Sequence, residues 1–588
     1  MCGILGTVSH EGVDRVAFET RLKMLNHRGP DDYGVFIDEH IALGHTRLSI
    51  LDLSPLGHQP MLSDDGSYII IYNGEVYNFE EIKKELEAKG HHFNSHSDTE
   101  VILKGFMEYG EGVVNRLNGM FAFAILNRTT KELFLARDRS GMKPLYYVKN
   151  EREFAFASEI RPLKSYAKGL NIEAKMLFLL LGSVPEPLSI YEGIETFPAG
   201  AYGYYHPQRG LRTQIYNDFI YQPKIDKPYE EMVDDVGELL HQSVKRHLIS
   251  DAPIGTFLSG GLDSSAITAI AAEYKDELQT LSLVFNEKEF SEEYYQDLVA
   301  KHYGTKHTKY LIDEALFLSS IDDFMASIDQ PTIDGINTFF VSKAAREIGL
   351  KTVLSGVGGD EIFYGYASFG NASKLKTLKS LPSFIVSMLK FSHKYKKLEL
   401  LAMESELALY LPTRAVFAPS EVASILKVDV ALVYQAIAKI WEYYNSEKIE
   451  ALEDKISFFE LRLYMKNQLL RDTDVFGMAN SLEIRVPFMD QALVDYVLRI
   501  PPKDKFDKRI NKIILADAVK SLLPNEVIDR PKMGFTLPFE GWFRKNIDRF
   551  ELDPLVKEQF VNHKLHWSRV WTDIVLKRFE QDYQAEVN

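Results

Sequence analysis

The chain is 588 residues long, 45% hydrophobic and 26% charged, with a formal net charge of −16. That length predicts two domains rather than one compact core, and the composition is that of a folded globular chain. The acidic balance excludes broad binding to nucleic acid or to an anionic membrane surface. The most apolar run, Met176 to Val184, is too short to span a bilayer, and no secretory signal is visible at the N-terminus.

The first pointed feature is at the start. The only cysteine is Cys2, so no intrachain disulfide can form and a reducing, cytoplasmic setting is expected. A lone Cys is ordinarily an inert buried hydrophobe. Removal of Met1 would instead place the Cys2 thiol beside a free α-amino group, joining nucleophile and base in one residue.

Short apolar runs separated by Gly, Asn and Asp turns follow. Cys2 to Val8, Tyr68 to Tyr72, Met120 to Leu126, Lys131 to Ala136 and Tyr146 to Val148 read as strands. Phe79 to Lys89 and Glu100 to Glu108 carry helical spacing. The pattern predicts packed sheets flanked by helices over residues 1–205. A proline-marked, loop-rich stretch predicts a linker at 206–228, before a second domain at 229–588. There the texture changes to strand–helix alternation: Ile254 to Leu258, Thr280 to Phe285 and Thr352 to Leu354 as buried strands, Ser264 to Tyr274 and Tyr294 to Tyr303 as helices. Such alternation predicts a parallel α/β sheet, and the chain beyond about residue 370 reads as mostly helical.

The strongest chemical motif is Ser259-Gly260-Gly261-Leu262-Asp263-Ser264-Ser265, between a predicted strand and a predicted helix. Backbone amides and the helix N-terminus converge there, a geometry that holds phosphate oxygens. Asp263 suits a Mg²⁺ ion bridged to diphosphate rather than the bare anion, and the Gly-Lys-Ser/Thr ending of a Walker loop is absent. The loop resembles the diphosphate-binding loop of N-type ATP pyrophosphatases. Val353 to Glu361 likewise runs from a strand into a Gly-rich turn, and Asp360 is the expected second metal ligand on the same rim. Asp474 to Phe488 sets ionisable groups in an apolar segment, and Arg530 to Phe535 offers Lys532 in a turn, a cation suited to charge developing at a phosphate.

Five further segments complete a pattern: Cys2-Gly-Ile, His27-Arg-Gly-Pro-Asp-Asp32, Arg47 to Leu51, Asn73-Gly-Glu75 and Ser97-Asp98. With the phosphate loop behind them, the whole chain resembles the glutamine-hydrolysing asparagine synthetases. That family joins a class II, N-terminal-nucleophile (αββα) glutaminase to an ATP pyrophosphatase-type synthetase. The resemblance implies Cys2 as nucleophile, Asn73 and Gly74 as oxyanion hole, and Glu75 and Asp98 on the α-amino group of glutamine. It further implies Arg47 on the α-carboxylate, within a glutamine-binding segment that includes Leu48, Ser49, Ile50 and Leu51. In the second half it places Leu258, Ser259, Gly260, Gly261, Asp263, Ser264, Ser265, Val284, Ser355 and Gly356 at ATP, Mg²⁺ at Asp263 and Asp360, and Lys532 in the adenylation and amidation steps.

Two departures stand out. Val357 occupies a position where many members carry Glu, and Asp474-Val-Phe-Gly-Met478 replaces Asp-Arg-Met-Ser-Met; both are expected near the acceptor. The expected reaction is amide synthesis with L-aspartate as acceptor and ammonia crossing an interior passage. A different carboxylate such as a uronic acid, a catalytically silent sensor or scaffold, and a phosphoribosyl-type amidotransferase are the alternatives. Partners are small molecules, with a homodimer as a candidate assembly.

Overall fold

The computed structural model describes residues 2–382, 393–444, 446, 448–506, 512–530 and 538–587. In chain order the strands of the first half are β1 (Cys2–Ser9), β2 (Asp32–Ile37), β3 (Ile41–Arg47), β4 (Met61–Leu62), β5 (Tyr68–Val76) and β6 (Gly119–Asn127). They continue as β7 (Leu133–Arg137), β8 (Tyr146–Lys149), β9 (Glu153–Ala157), β10 (Ile194–Thr196), β11 (Ala201–His206) and β12 (Gly210–Ile215). Two six-stranded sheets result, ordered β10-β8-β9-β1-β3-β2 and β12-β11-β7-β6-β5-β4.

Alternation along the strands sets the layers. Ile4 and Val8 of β1 share one apolar cluster with Ile69 and Ile71 of β5 and Ala122 and Ala124 of β6, which is the seam between the sheets. The outward residues of β5 and β6, such as Ile70, Tyr72 and Phe123, pack with Phe79, Ile82 and Leu86 of one helix and Val101 and Ile102 of the next. Leu5 and Ala42, on the outer face of the first sheet, join Phe18 and Leu22 of the helix Arg15–Lys23 in the largest cluster. The expected αββα sandwich follows from these three apolar faces. The segment expected as a linker differs in part: β12 pairs with β11 from Ala201↔Ile215 to His206↔Gly210 and closes the second sheet. The chain therefore remains in the first fold through Ile215.

The second half contains β13 (Ile254–Phe257), β14 (Gln279–Val284), β15 (Lys306–Leu311), β16 (Thr352–Leu354) and β17 (Glu483–Arg485). They form a sheet ordered β15-β14-β13-β16-β17, parallel throughout. Helices including Tyr229–His247, Leu262–Tyr274 and Ile336–Glu347 link or flank the strands, and the C-terminal part is largely helical. The short strand β17 lies within the region expected to be helical; it is stabilised because its backbone completes the sheet edge beside β16. Before it, Glu460–Leu470 winds as a π-helix. No helix among the described residues is long and apolar enough to cross a membrane.

Candidate active sites

Cys2 is buried at the head of β1, opposite Arg47 of β3. Its backbone N–H donates to Asn73 Oδ1 at 3.0 Å. That bond orients the Asn73 carboxamide, whose buried Nδ2 has no hydrogen-bond partner among the described residues. A buried amide donor left unmatched is costly unless a ligand completes it, and the donor suits an oxyanion. Gly74 is tied to its residue type by packing: a Cβ there would lie 2.2 Å from the Met120 carbonyl oxygen on β6.

Two buried carboxylates flank this point. Asp98 Oδ2 accepts from Tyr72 Oη at 2.7 Å and the Val76 N–H at 3.0 Å. Glu75 has one carboxylate oxygen, Oε1, without a partner among the described residues. Burial pushes both carboxyls above their ordinary range, while Arg485 opposes the rise at Glu75. A ligand ammonium at this point would relieve that burial cost.

Arg47 donates to the backbone carbonyls of Leu51 and Ser54 at 3.2 Å and of Asp52 at 2.5 Å. The fork thereby curls residues 51–54 around itself. Leu48 and Ile50 are buried, and the Ser49 N–H donates to Asp31 at 2.8 Å.

The second site is a cavity of about 1660 Å³ at the carboxyl ends of the parallel strands, where α/β folds bind ligands. Leu258, Ser259, Gly261, Asp263, Ser264, Ser355, Gly356, Val357 and Asp360 line it. Val284 ends β14, and its neighbour Leu283 reaches the wall while Val284 does not. Gly260 and Ser265 also lie behind the wall. Gly260 adopts φ +78°, with its carbonyl accepting from Arg530 at 2.7 Å, and the Ser265 hydroxyl is buried. Gly358, at φ +104°, lets the second loop turn directly into the helix bearing Asp360; a Cβ would strain both turns.

Lys512 is the residue that motif reading missed. Its ammonium contacts Asp263 and lies 2.6 Å from Asp360 Oδ1. Burial works against that charge, but the two carboxylates outweigh it and hold the ammonium above the ordinary lysine range. No spacing rule links the three positions; only the fold brings them together. Asp263 and Asp360 converge on one cation, so this donor pair fits a divalent ion. Among the described residues no group of three or more His, Cys, Asp or Glu gathers as a metal site, so phosphate and water oxygens would complete the coordination of Mg²⁺. Lys532 lies outside the described residues.

The remaining cavity wall is mixed. Glu361 accepts from Tyr366 Oη at 2.7 Å; burial, then Asp360, push its carboxyl up to about 7. The Arg414 guanidinium pairs with Glu460 at 2.7 Å and lies over the rings of Tyr366 and Tyr464. Val357 is on the wall. Val475, Phe476 and Gly477 are not. Phe476 is fully buried, stacks on Phe324 at 4.9 Å and fills the space above Gly335.

The ionisable groups of the same segment instead face the first domain. Asp474 accepts from Arg28 Nη2 at 2.7 Å and Lys143 Nζ at 3.2 Å, and Arg28 Nε donates to the Cys2 carbonyl at 3.1 Å.

Fold and sites together define a glutamine amidotransferase domain joined to a parallel-sheet synthetase domain. The glutamine amidotransferase domain family model matches residues 1–217, and the asparagine synthase model matches residues 235–584. The chain belongs to the asparagine synthase family. It is 32% identical over 567 residues to asparagine synthetase [glutamine-hydrolyzing] 1 of Bacillus subtilis, covering 94% of this chain and 89% of that protein. It is 31% identical over 619 residues to asparagine synthetase [glutamine-hydrolyzing] 3 of the same organism, covering 96% and 95%. Amidase chry2 of Gibberella zeae is 27% identical over 612 residues, covering 92% and 90%.

Proposed function

We propose that the chain makes L-asparagine from L-aspartate, ATP, L-glutamine and water, releasing AMP, diphosphate and L-glutamate, in the cytoplasm. The observation that carries this reading is the presence, in one family member, of buried Cys2 beside the unmatched Asn73 amide and of a separate cavity floored by the Ser259–Ser264 loop.

In the first site, the Cys2 thiolate attacks the side-chain carbonyl carbon of glutamine. The α-amino group exposed by removal of Met1 takes the thiol proton and passes it to the leaving ammonia. Asn73 Nδ2 and the Gly74 N–H hold the oxyanion; Glu75 and Asp98 hold the α-ammonium, and Arg47 the α-carboxylate. Water then cleaves the thioester to glutamate.

In the second site the acceptor carboxylate attacks the α-phosphorus of ATP, giving an acyl-adenylate and diphosphate. The Ser259–Ser265 loop receives diphosphate oxygens. Lys512 balances negative charge near the breaking bond, and Asp263 and Asp360 would hold Mg²⁺, which supplies charge neutralisation at the phosphates. Ammonia attacks the acyl carbon and AMP departs. Bulk water would protonate the ammonia, so the transfer requires a sealed interior route.

Val357 supports a second reading. An isopropyl group cannot transfer a proton or pair with a cation. The same machinery would then amidate a larger carboxylate such as a uronic acid.

Purified protein is supplied with glutamine, MgATP and either aspartate or a uronate, and AMP, diphosphate and amide are measured. Asparagine formed with AMP supports the first reading. Consumption of uronate but not aspartate selects the second, and ADP as product sinks both. Cys2→Ala is expected to abolish glutamine-dependent synthesis and retain synthesis from ammonium salts.

A further inference from the structure

Arg485 belongs to the second domain by sequence and to both sites by contact. Its backbone carbonyl, at the end of β17, accepts the N–H of Ser355 at 2.8 Å, the first residue of the loop Ser355-Gly356-Val357 on the cavity wall. Its side chain runs the opposite way, fully buried, into the first domain. There Nη2 lies 3.0 Å from Glu75 Oε2.

The rest of the guanidinium is held by its own half. Nε donates to Glu483 Oε1 at 2.5 Å, and Nη1 donates to the carbonyls of His247 at 2.8 Å and Ile249 at 2.5 Å. Three anchors from the synthetase thus fix where the fourth contact points, which suits the planar arginine fork. Glu75 divides its two oxygens accordingly. Oε2 faces Arg485, and Oε1 is buried without a partner among the described residues. The Oε2 contact is an ion pair without the alignment of a hydrogen bond, since Arg485 Nη2 has no bonded acceptor in that geometry. It is therefore a contact that a small displacement of β17 can strengthen or weaken.

We propose that Arg485 is a positioning residue for the glutamine-binding carboxylate, and that through it the state of the Ser355 loop sets the affinity of the first domain for glutamine. The proposal rests on the reading of Glu75 as the partner of the glutamine ammonium. Arg485 favours the ionised form of Glu75 and aims its second oxygen at the substrate; burial, Asp98 and Glu483 act in the other direction. Because Ser355 bonds the backbone of the same residue, nucleotide that orders this loop changes the Arg485–Glu75 contact. Coupling of this kind is reciprocal: glutamine must alter nucleotide affinity by the same factor.

Steady-state glutaminase kinetics of the full chain test this, with Arg485→Met, Arg485→Lys and Glu75→Gln each assayed with and without MgATP. R485M is expected to raise KM for glutamine at least about tenfold more than it lowers kcat. The acid limb of kcat/KM should move upward, because Glu75 loses the cation that opposes its protonation. R485K should restore the pH limb while leaving KM intermediate, since charge returns without the fork. In both variants the effect of MgATP on glutamine KM should shrink. Should R485M fail to fold, R485K decides alone: a wild-type KM and a wild-type MgATP effect overturn the proposal. An equal fall of kcat and kcat/KM with an unmoved pH limb also overturns it, since that is what loosened structure would do. E75Q separates the two levels. If it leaves glutamine KM unchanged, the assignment of Glu75 fails; if it raises KM while neither Arg485 variant does, only the role of Arg485 fails.

Discussion

Asp474→Asn removes the one anion shared by two buried cations at the domain interface. Arg28 Nη2 lies 2.7 Å and Lys143 Nζ 3.2 Å from its carboxylate, and all three side chains are 0% exposed. Glu159, 2.9 Å from Arg28, would remain as the ion-pair partner of Arg28, while Lys143 would lose its paired carboxylate. Removing one partner of a buried ion pair costs about 3–5 kcal/mol, chiefly because the other charge remains desolvated. Burial already lowers the Lys143 pKa, with Asp474 the main opposing influence, so Lys143 is the group left most exposed to that penalty. Urea-unfolding midpoints followed by tryptophan fluorescence should place D474N about 3–5 kcal/mol below wild type. Adding Lys143→Met removes the orphaned ammonium, and the double variant should recover roughly 1–3 kcal/mol through the coupling of neighbouring sites. A D474N protein as stable as wild type, or a double variant whose losses simply add, would refute the electrostatic account. Arg28 also holds the Cys2 carbonyl, so glutamine-dependent turnover should fall further than ammonia-dependent turnover in D474N at a temperature where both proteins are folded.

Asn73→Ala should lower glutaminase kcat by about 10²–10³-fold while ammonia-dependent synthesis persists, as the loss of one oxyanion donor requires; equal loss of both activities would count against that role. Lys512→Met should slow diphosphate release from ATP at least about 10²-fold without a comparable fall in glutamate production, and normal release would remove Lys512 from the adenylation chemistry. Glu361 provides a test by pH. Its folded pKa is raised from 4.5 to about 7, so the folded state binds the extra proton. The associated stability is fully present below the unfolded pKa and is lost as pH rises toward 7. Glu361→Gln should therefore gain on wild type between pH 5 and pH 7.5 by roughly 2–3 kcal/mol, and parallel stability–pH curves for the two proteins would contradict this.

Much of the architecture can be read from local patterns. The apolar run Tyr68 to Tyr72 and the strand–loop–helix punctuation at Ser259–Ser265 are properties of a few consecutive residues, and elements form at both places, the first extending to Val76. Residues that act across distance are harder to see. Arg28 and Asp474 are 446 positions apart, and nothing in either segment announces the other. Lys512 follows the same rule, since its partners Asp263 and Asp360 belong to different strand ends. The segment Asp474 to Phe488 is instructive because its charges were visible but their destination was not. An ionisable group in an apolar run signals a buried partner without saying which domain supplies it. The misjudged end of the first domain has a different cause: β12 is a solvent-facing edge strand, and such strands lack the apolar alternation that reveals inner ones.

The outer face of the first sheet has a wider meaning. Leu5 and Ala42 from the amidotransferase fold share one apolar mass with Val353, Ile484 and Phe476 from the synthetase. Neither unit can be moved into a foreign chimera without bringing along the face it packs against, and a cavity opened in that shared mass is felt by both.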